Sequence, residues 1–243
     1  MNKKAVSVIL SYAILFAIVI TAAALAFRWG QEEINELQDT KNLNAAETIF
    51  INADSMIQEV NQEGKGASRV LKTNFDKGEF FPESYDFSIT NATSTIYEID
   101  LKTVSMVLEA KNDVLDANET RNGNILKSYS GNIFTITESY FDIVTETEGD
   151  NVYTVINLID IKNVVISGGK EIYIKNEGIE DHNFTTAPPY TVQIGNEIYH
   201  VETENKFLIV KQGGSKTYTK FLGEGTKTYH LNIRITTLTA KIS

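Results

Sequence analysis

The side chains best suited to proton transfer or metal ligation near neutral pH are three histidines, His182, His200 and His230, which lie far apart in the sequence. His200 and His230 fall in runs that alternate like strands, which assigns them ordinary side-chain roles rather than catalysis. Oxygen ligands that could hold calcium cluster at Asp113, Asp116, Asn118 and Glu119, and again over residues 146–150. Neither cluster has the ligand spacing of a calcium loop, so both read as solvated loop tips and no metal site is expected. There is no cysteine, hence no thiolate nucleophile, no disulfide and no zinc site of the cysteine type. Phosphate-binding glycine loops, nucleophile elbows and His-Glu-x-x-His patterns are all missing. The expectation is a protein with no catalytic residues and no cofactor. Three sequons, at Asn91, Asn118 and Asn183, are candidate N-glycosylation sites and fall in loop-like surroundings.

Charge narrows the partners. Among 243 residues, 32 acids against 22 bases give a net charge of −10, which argues against nucleic acid, whose phosphates call for a basic field. Residues 206–243 run the other way, with seven bases and one acid, Glu224. Such an end could attract an acidic body in a head-to-tail contact between copies, although a lysine-rich solvated strand face is the plainer reading. Tyr218, Phe221 and Tyr229 lie among these lysines, as core or rim aromatics or as a contact surface.

The elements that must carry these residues begin with an unusual segment. Residues 5–27 contain no charge, proline or glycine. A helix of that length covers about 34 Å, enough to cross a hydrocarbon core of about 30 Å. Lys3 and Lys4 precede it and Glu32, Glu33 and Glu36 come after it, which places the N-terminus in the cytoplasm and the rest outside. Three fates compete: a permanent anchor, a secretory signal cut after Ala26, or a signal cut at its very start with the apolar helix retained. A secretory signal would give way to the fresh start of a folded domain, whereas this chain continues as helix. Ile34, Leu37, Ala45, Ile49, Ala53, Met56 and Val60 form one stripe over residues 31–60, and Gly64 and Gly66 supply the stop. Residues 6–62 therefore read as one helix of about 85 Å, apolar all round in its first part and amphipathic in its second.

The run Lys3-Lys4-Ala5-Val6-Ser7, set directly before that helix, resembles the class III signal of archaeal type IV pilins and archaellins. The resemblance covers about the first 60 residues. It implies a five-residue leader, recognition of Lys4, Ala5 and Val6 by a prepilin-peptidase-like enzyme, and a mature chain that starts at Val6. It further implies assembly with copies of itself or other pilin-like subunits, through a membrane intermediate, into a filament at the cell surface. The chain departs from many archaeal relatives at Val8 and Ser11, where they carry proline and glycine. It also lacks the early acidic residue of bacterial pilins.

Beyond Gly66 the helical period gives way to short runs rich in Ile, Val, Tyr, Phe and Thr, such as residues 94–99, 132–136, 171–174 and 190–194. Gly195-Asn196 reads as a tight hairpin, Ser167-Gly168-Gly169-Lys170 as another, and residues 152–166 as two strands or one bent one. The fold class expected is α+β: a long N-terminal helix, then an all-β antiparallel sandwich of about ten strands over residues 66–243. A single-pass anchored binding module with the same architecture is the competing function.

Overall fold

The computed structural model describes residues 3–73, 78–109, 120–122, 125–130, 133–138, 140–167 and 171–243. One helix, α1 (Lys3–Glu63), precedes every strand. The strands are β1 (Ser68–Lys72), β2 (Glu79–Thr90), β3 (Thr95–Glu109), β4 (Thr120–Asn122), β5 (Ile125–Ser130), β6 (Ile133–Glu138) and β7 (Phe141–Glu148), followed by β8 (Asn151–Ile166), β9 (Glu171–Thr185), β10 (Tyr190–Ile194), β11 (Glu197–Glu204), β12 (Phe207–Gln212), β13 (Ser215–Phe221) and β14 (Thr228–Ile242). They form a five-stranded sheet in the order β1-β9-β14-β8-β7 and a nine-stranded sheet in the order β13-β12-β11-β10-β2-β3-β6-β5-β4. The α+β class expected from the sequence is the class observed.

Alternation builds the main core. In β8, Val152, Thr154, Ile156 and Leu158 are buried while Tyr153, Val155 and Asn157 are half-buried on the opposite side. The inward set meets Phe87 and Ile89 of β2, Leu101 of β3, and Val192, Val201 and Leu208 from β10, β11 and β12. Each such side chain contributes about 1.5–3 kcal/mol by leaving water. Tyr190 is buried in this layer, and burial pushes its phenol up to about 12, opposed by a hydrogen bond with Thr154. The unfolded chain, with an ordinary phenol near 10, then loses its proton first. Stability is therefore full below pH 10 and falls by roughly 2–3 kcal/mol as pH rises from 10 to 12. Thermal melts across that window are expected to show the loss in the native chain and a shallower slope in Tyr190→Phe.

Several local features decide the topology. Gly195 adopts a positive φ of 53°, and the two-residue connection Gly195-Asn196 closes β10 onto β11 with Ile194 opposite Glu197, as the sequence suggests. Residues 152–166 form one bent strand: Asn163 sits at φ 55°, and the register between β8 and β14 slips between Thr239 and Lys241. Ser167 does not open a tight hairpin, because β8 and β9 are not neighbours; β14 lies between them. The last strand enters that gap parallel to β8 and antiparallel to β9, so among the described strands one parallel pair interrupts an otherwise antiparallel body.

Helix α1 divides into two parts by what it touches. Every residue from 12 to 34 is exposed. Contact with the body begins at Asp39 and continues through Ala46, Ile49, Phe50, Ala53, Met56, Ile57 and Val60. These side chains seat in a groove whose walls are Ile159 and Ile161 of β8, Ile172 and Ile174 of β9 and Leu238, Ala240 and Ile242 of β14 on one side. Met106 and Leu108 of β3 with Phe134 and Ile136 of β6 form the other. The stripe differs from the expected one at its start, since Ile34, Leu37 and Ala45 are exposed. The described part of the body does not extend back to them. The helix stops where Gly64 takes φ 84°, and the carbonyl of Val60 accepts from the buried Asn176 amide at 3.3 Å. Arg69 of β1 adds ion pairs with Glu59 and Glu63.

Candidate functional site

Lys4, Ala5 and Val6 lie in the first turns of α1, ahead of the exposed apolar surface described from Tyr12 onward. That surface includes Phe16 at 67% and Phe27 at 74% exposure, values at which no side chain of the same chain covers them. Apolar area left facing water on such a helix costs about 25 cal/mol per Å². The helix is long and apolar enough to cross a membrane. The surface patch formed by Ile14, Ala17, Ile18, Thr21, Ala22 and Leu25 is a shallow apolar groove along one side of it. Small residues at Ala17, Thr21 and Ala22 allow another helix to approach closely there.

The other residues singled out by the sequence are dispersed. Asn91 sits in the turn between β2 and β3, where its side-chain oxygen accepts from the backbone of Thr93 and Ser94 at 3.0 and 2.8 Å. Asn183 is exposed, but it lies within strand β9 opposite Asn232 of β14 rather than in a loop. Asn118 lies outside the described residues, together with Asp113, Asp116 and Glu119. Residues 149–150 make the β7–β8 turn, and Asp150 pairs with Lys227 at 3.1 Å. Among the described residues no group of three or more His, Asp or Glu side chains is placed to hold a metal.

The histidines are separated as well. His182 rests against the ring of Tyr97, His200 bonds with the Thr191 hydroxyl, and His230 stacks on Tyr153. The basic C-terminal region is largely matched inside the chain: Lys206 with Glu224, Lys211 with Glu202, Lys216 with Glu204 and Arg234 with Asp181. Its charge is therefore only partly available for a second copy. Tyr218 and Tyr229 pack on the main core, while Phe221 is exposed beside Phe207.

One concavity was not anticipated from the sequence. By strand alternation Tyr153, Val155 and Asn157 share a face with Ile159 and Ile161 of β8, and His230, Asn232 and Arg234 share it with Thr236 and Leu238 of β14. The helix covers the second half of this face, where Thr236 donates to Asn61 at 2.6 Å. The first half is open, a shallow cavity of about 550 Å³ walled by Val144, Glu146 and Glu148 of β7. Only the pairing of β8 with β14, in which Asn151 stands opposite Thr228, brings these groups together.

Compared with known protein families, characterised proteins and solved structures, the chain matches none of them. Its own residues are therefore the guide to its function.

Proposed function

We propose that this chain is a pilin-like structural subunit that assembles through its N-terminal helix into a surface filament and displays the β body outward. The observation that carries the reading is the division of α1: residues 12–34 exposed and, up to Phe27, apolar all round, residues 46–60 docked on the body. An all-round apolar helix needs apolar neighbours on every side, first lipid and then a bundle of like helices. The run Lys3-Lys4-Ala5-Val6-Ser7 supports it, being similar to the leader-cleavage site of archaeal type IV pilins and archaellins. In that scheme Lys4 and Ala5 present the scissile bond to a prepilin-peptidase-like enzyme, Val6 becomes the new N-terminus, and the sequons at Asn91 and Asn183 lie outside the cell.

The intact mass of the protein purified from its own cells tests this directly. A mature chain beginning at Val6, with or without added glycan mass, is the expected result. A start at Phe27 would leave a secreted body without its assembly helix, and an uncut chain would leave a single-pass anchored binding protein; either overturns the filament reading.

A further inference from the structure

We infer that the open half of the β7–β8–β14 face is a binding site for a neutral saccharide. It extends the reading of the body as a displayed unit by giving that unit a ligand class, and its test does not depend on processing or assembly.

The composition of the face separates it from an ordinary solvated sheet. An idle face is usually covered by long flexible side chains, which lose little by staying mobile. Here the central rows carry planar, short or immobilised groups. Tyr153 is stacked on His230 with ring centres 4.8 Å apart and planes 18° from parallel, and His230 is held in turn by Asn151 at 3.2 Å. Arg234 is fixed by Asp181 at 2.9 Å. Asn157 stands directly opposite Arg234 in register, and Asn232 lies one row away beside Val155. Both amides are half-buried, yet neither makes a side-chain hydrogen bond among the described residues. Each thus offers a donor pair and an acceptor that no described neighbour occupies.

Such a set suits a sugar. Adjacent hydroxyls of a pyranose donate and accept at the spacing of a planar amide or carboxylate. The ring's C–H face packs on an aromatic surface such as Tyr153, and the Tyr153–His230 stack, already in place, limits the entropy lost on binding. The volume falls within the ~300–1,000 Å³ range of small-molecule pockets. Charge decides which sugars are accepted. Glu146 and Glu148 wall the cavity, and its single cation, Arg234, is already matched by Asp181. Uronates, sulfated glycans and nucleotides would meet uncompensated repulsion, so the ligand is uncharged.

The test uses the full chain made in a bacterial host, so that no glycan occupies Asn183, solubilised in a detergent without a sugar head group. It is applied to immobilised oligomannose, cellohexaose, galactan and chitohexaose, with heparin and polygalacturonate as anionic probes. Binding to at least one neutral glycan is expected, reduced at least tenfold in Tyr153→Ala and in the double variant Asn157→Ala/Asn232→Ala. Lys220→Ala, on the far sheet, should bind as the native chain does. Circular dichroism melts establish that each variant is folded, and a variant that fails to fold is replaced by Tyr153→Thr. No binding to any neutral probe, preference for the anionic ones, or binding that both site variants retain overturns the assignment.

Discussion

Cells producing an Ile14→Asp chain are expected to carry no filaments of it, with a loss of at least a hundredfold in the filament fraction recovered by shearing and sedimentation. Ile14 stands near the middle of the uncharged run and is exposed along the apolar groove of α1. Among the described residues no cation lies near that position to pair with a carboxylate. In lipid, an aspartate at the helix centre costs about 2.5–3.5 kcal/mol. In a bundle of like helices the charge would be buried unpaired in every subunit. At 1.4 kcal/mol per tenfold, the lower bound already suppresses each insertion about sixtyfold, and assembly multiplies the penalty over neighbours. Ile14→Leu keeps the apolar surface and should assemble normally. Replacement of residues 6–27 by an unrelated membrane anchor separates the two readings of the helix. A filament subunit should fail to assemble with it, whereas an anchored binding protein should lose nothing. Normal filament yield from Ile14→Asp would sink the proposal.

The helix was legible because both its signals are local: an uncharged run for the first part and a 3.6-residue apolar period for the second. Its docking limits were not. Ile34 and Leu37 fit the period as well as Met56 does, yet they are exposed because the body's walls end near Asp39. Burial of Asp39 is a tertiary fact with no local signature. The β body shows the same divide. Alternation marked the strands, and Gly195-Asn196 marked a hairpin, since turn chemistry acts between adjacent residues. Which strand lies beside which is settled by packing. Insertion of β14 between β8 and β9 could not be read from Ser167 or its neighbours. That insertion places Asn183 opposite Asn232, brings Arg234 opposite Asn157, and so creates the open face. The C-terminal region reads as strongly basic because most of the carboxylates that match it, Asp150, Asp181, Glu202 and Glu204, precede residue 206.

Ile57→Asp is expected to do the opposite kind of damage: it should lower the melting temperature of the body by roughly 10 °C and open residues 40–63 to protease. Ile57 is 1% exposed and sits over Ile161, Ile172 and Ala240 with Phe80 and Val104 across the groove. A small void of about 30 Å³ in that groove is lined only by apolar side chains, so no buried water is available to solvate a carboxylate. Desolvating the charge and losing the isoleucine's packing together cost about 3–5 kcal/mol, and in a chain of this size each kcal/mol moves the melting point by about 2–4 °C. The helix has a cheaper response, which is to lift from the groove. Lifting exposes Met106, Phe134, Leu238 and Ile242, and these are the side chains whose burial joins the two sheets at that end. Ile57→Val, a loss of one methylene, should cost no more than about 1.5 kcal/mol and leave the protease pattern unchanged. Scanning calorimetry with limited proteolysis distinguishes the cases, and an unaltered melt in Ile57→Asp would mean the docked half of α1 contributes nothing to the body. The pair of variants separates the two uses of one helix. A charge at Ile14 leaves the melt of the body intact while removing assembly, whereas a charge at Ile57 weakens the body while leaving the apolar half able to insert in a membrane.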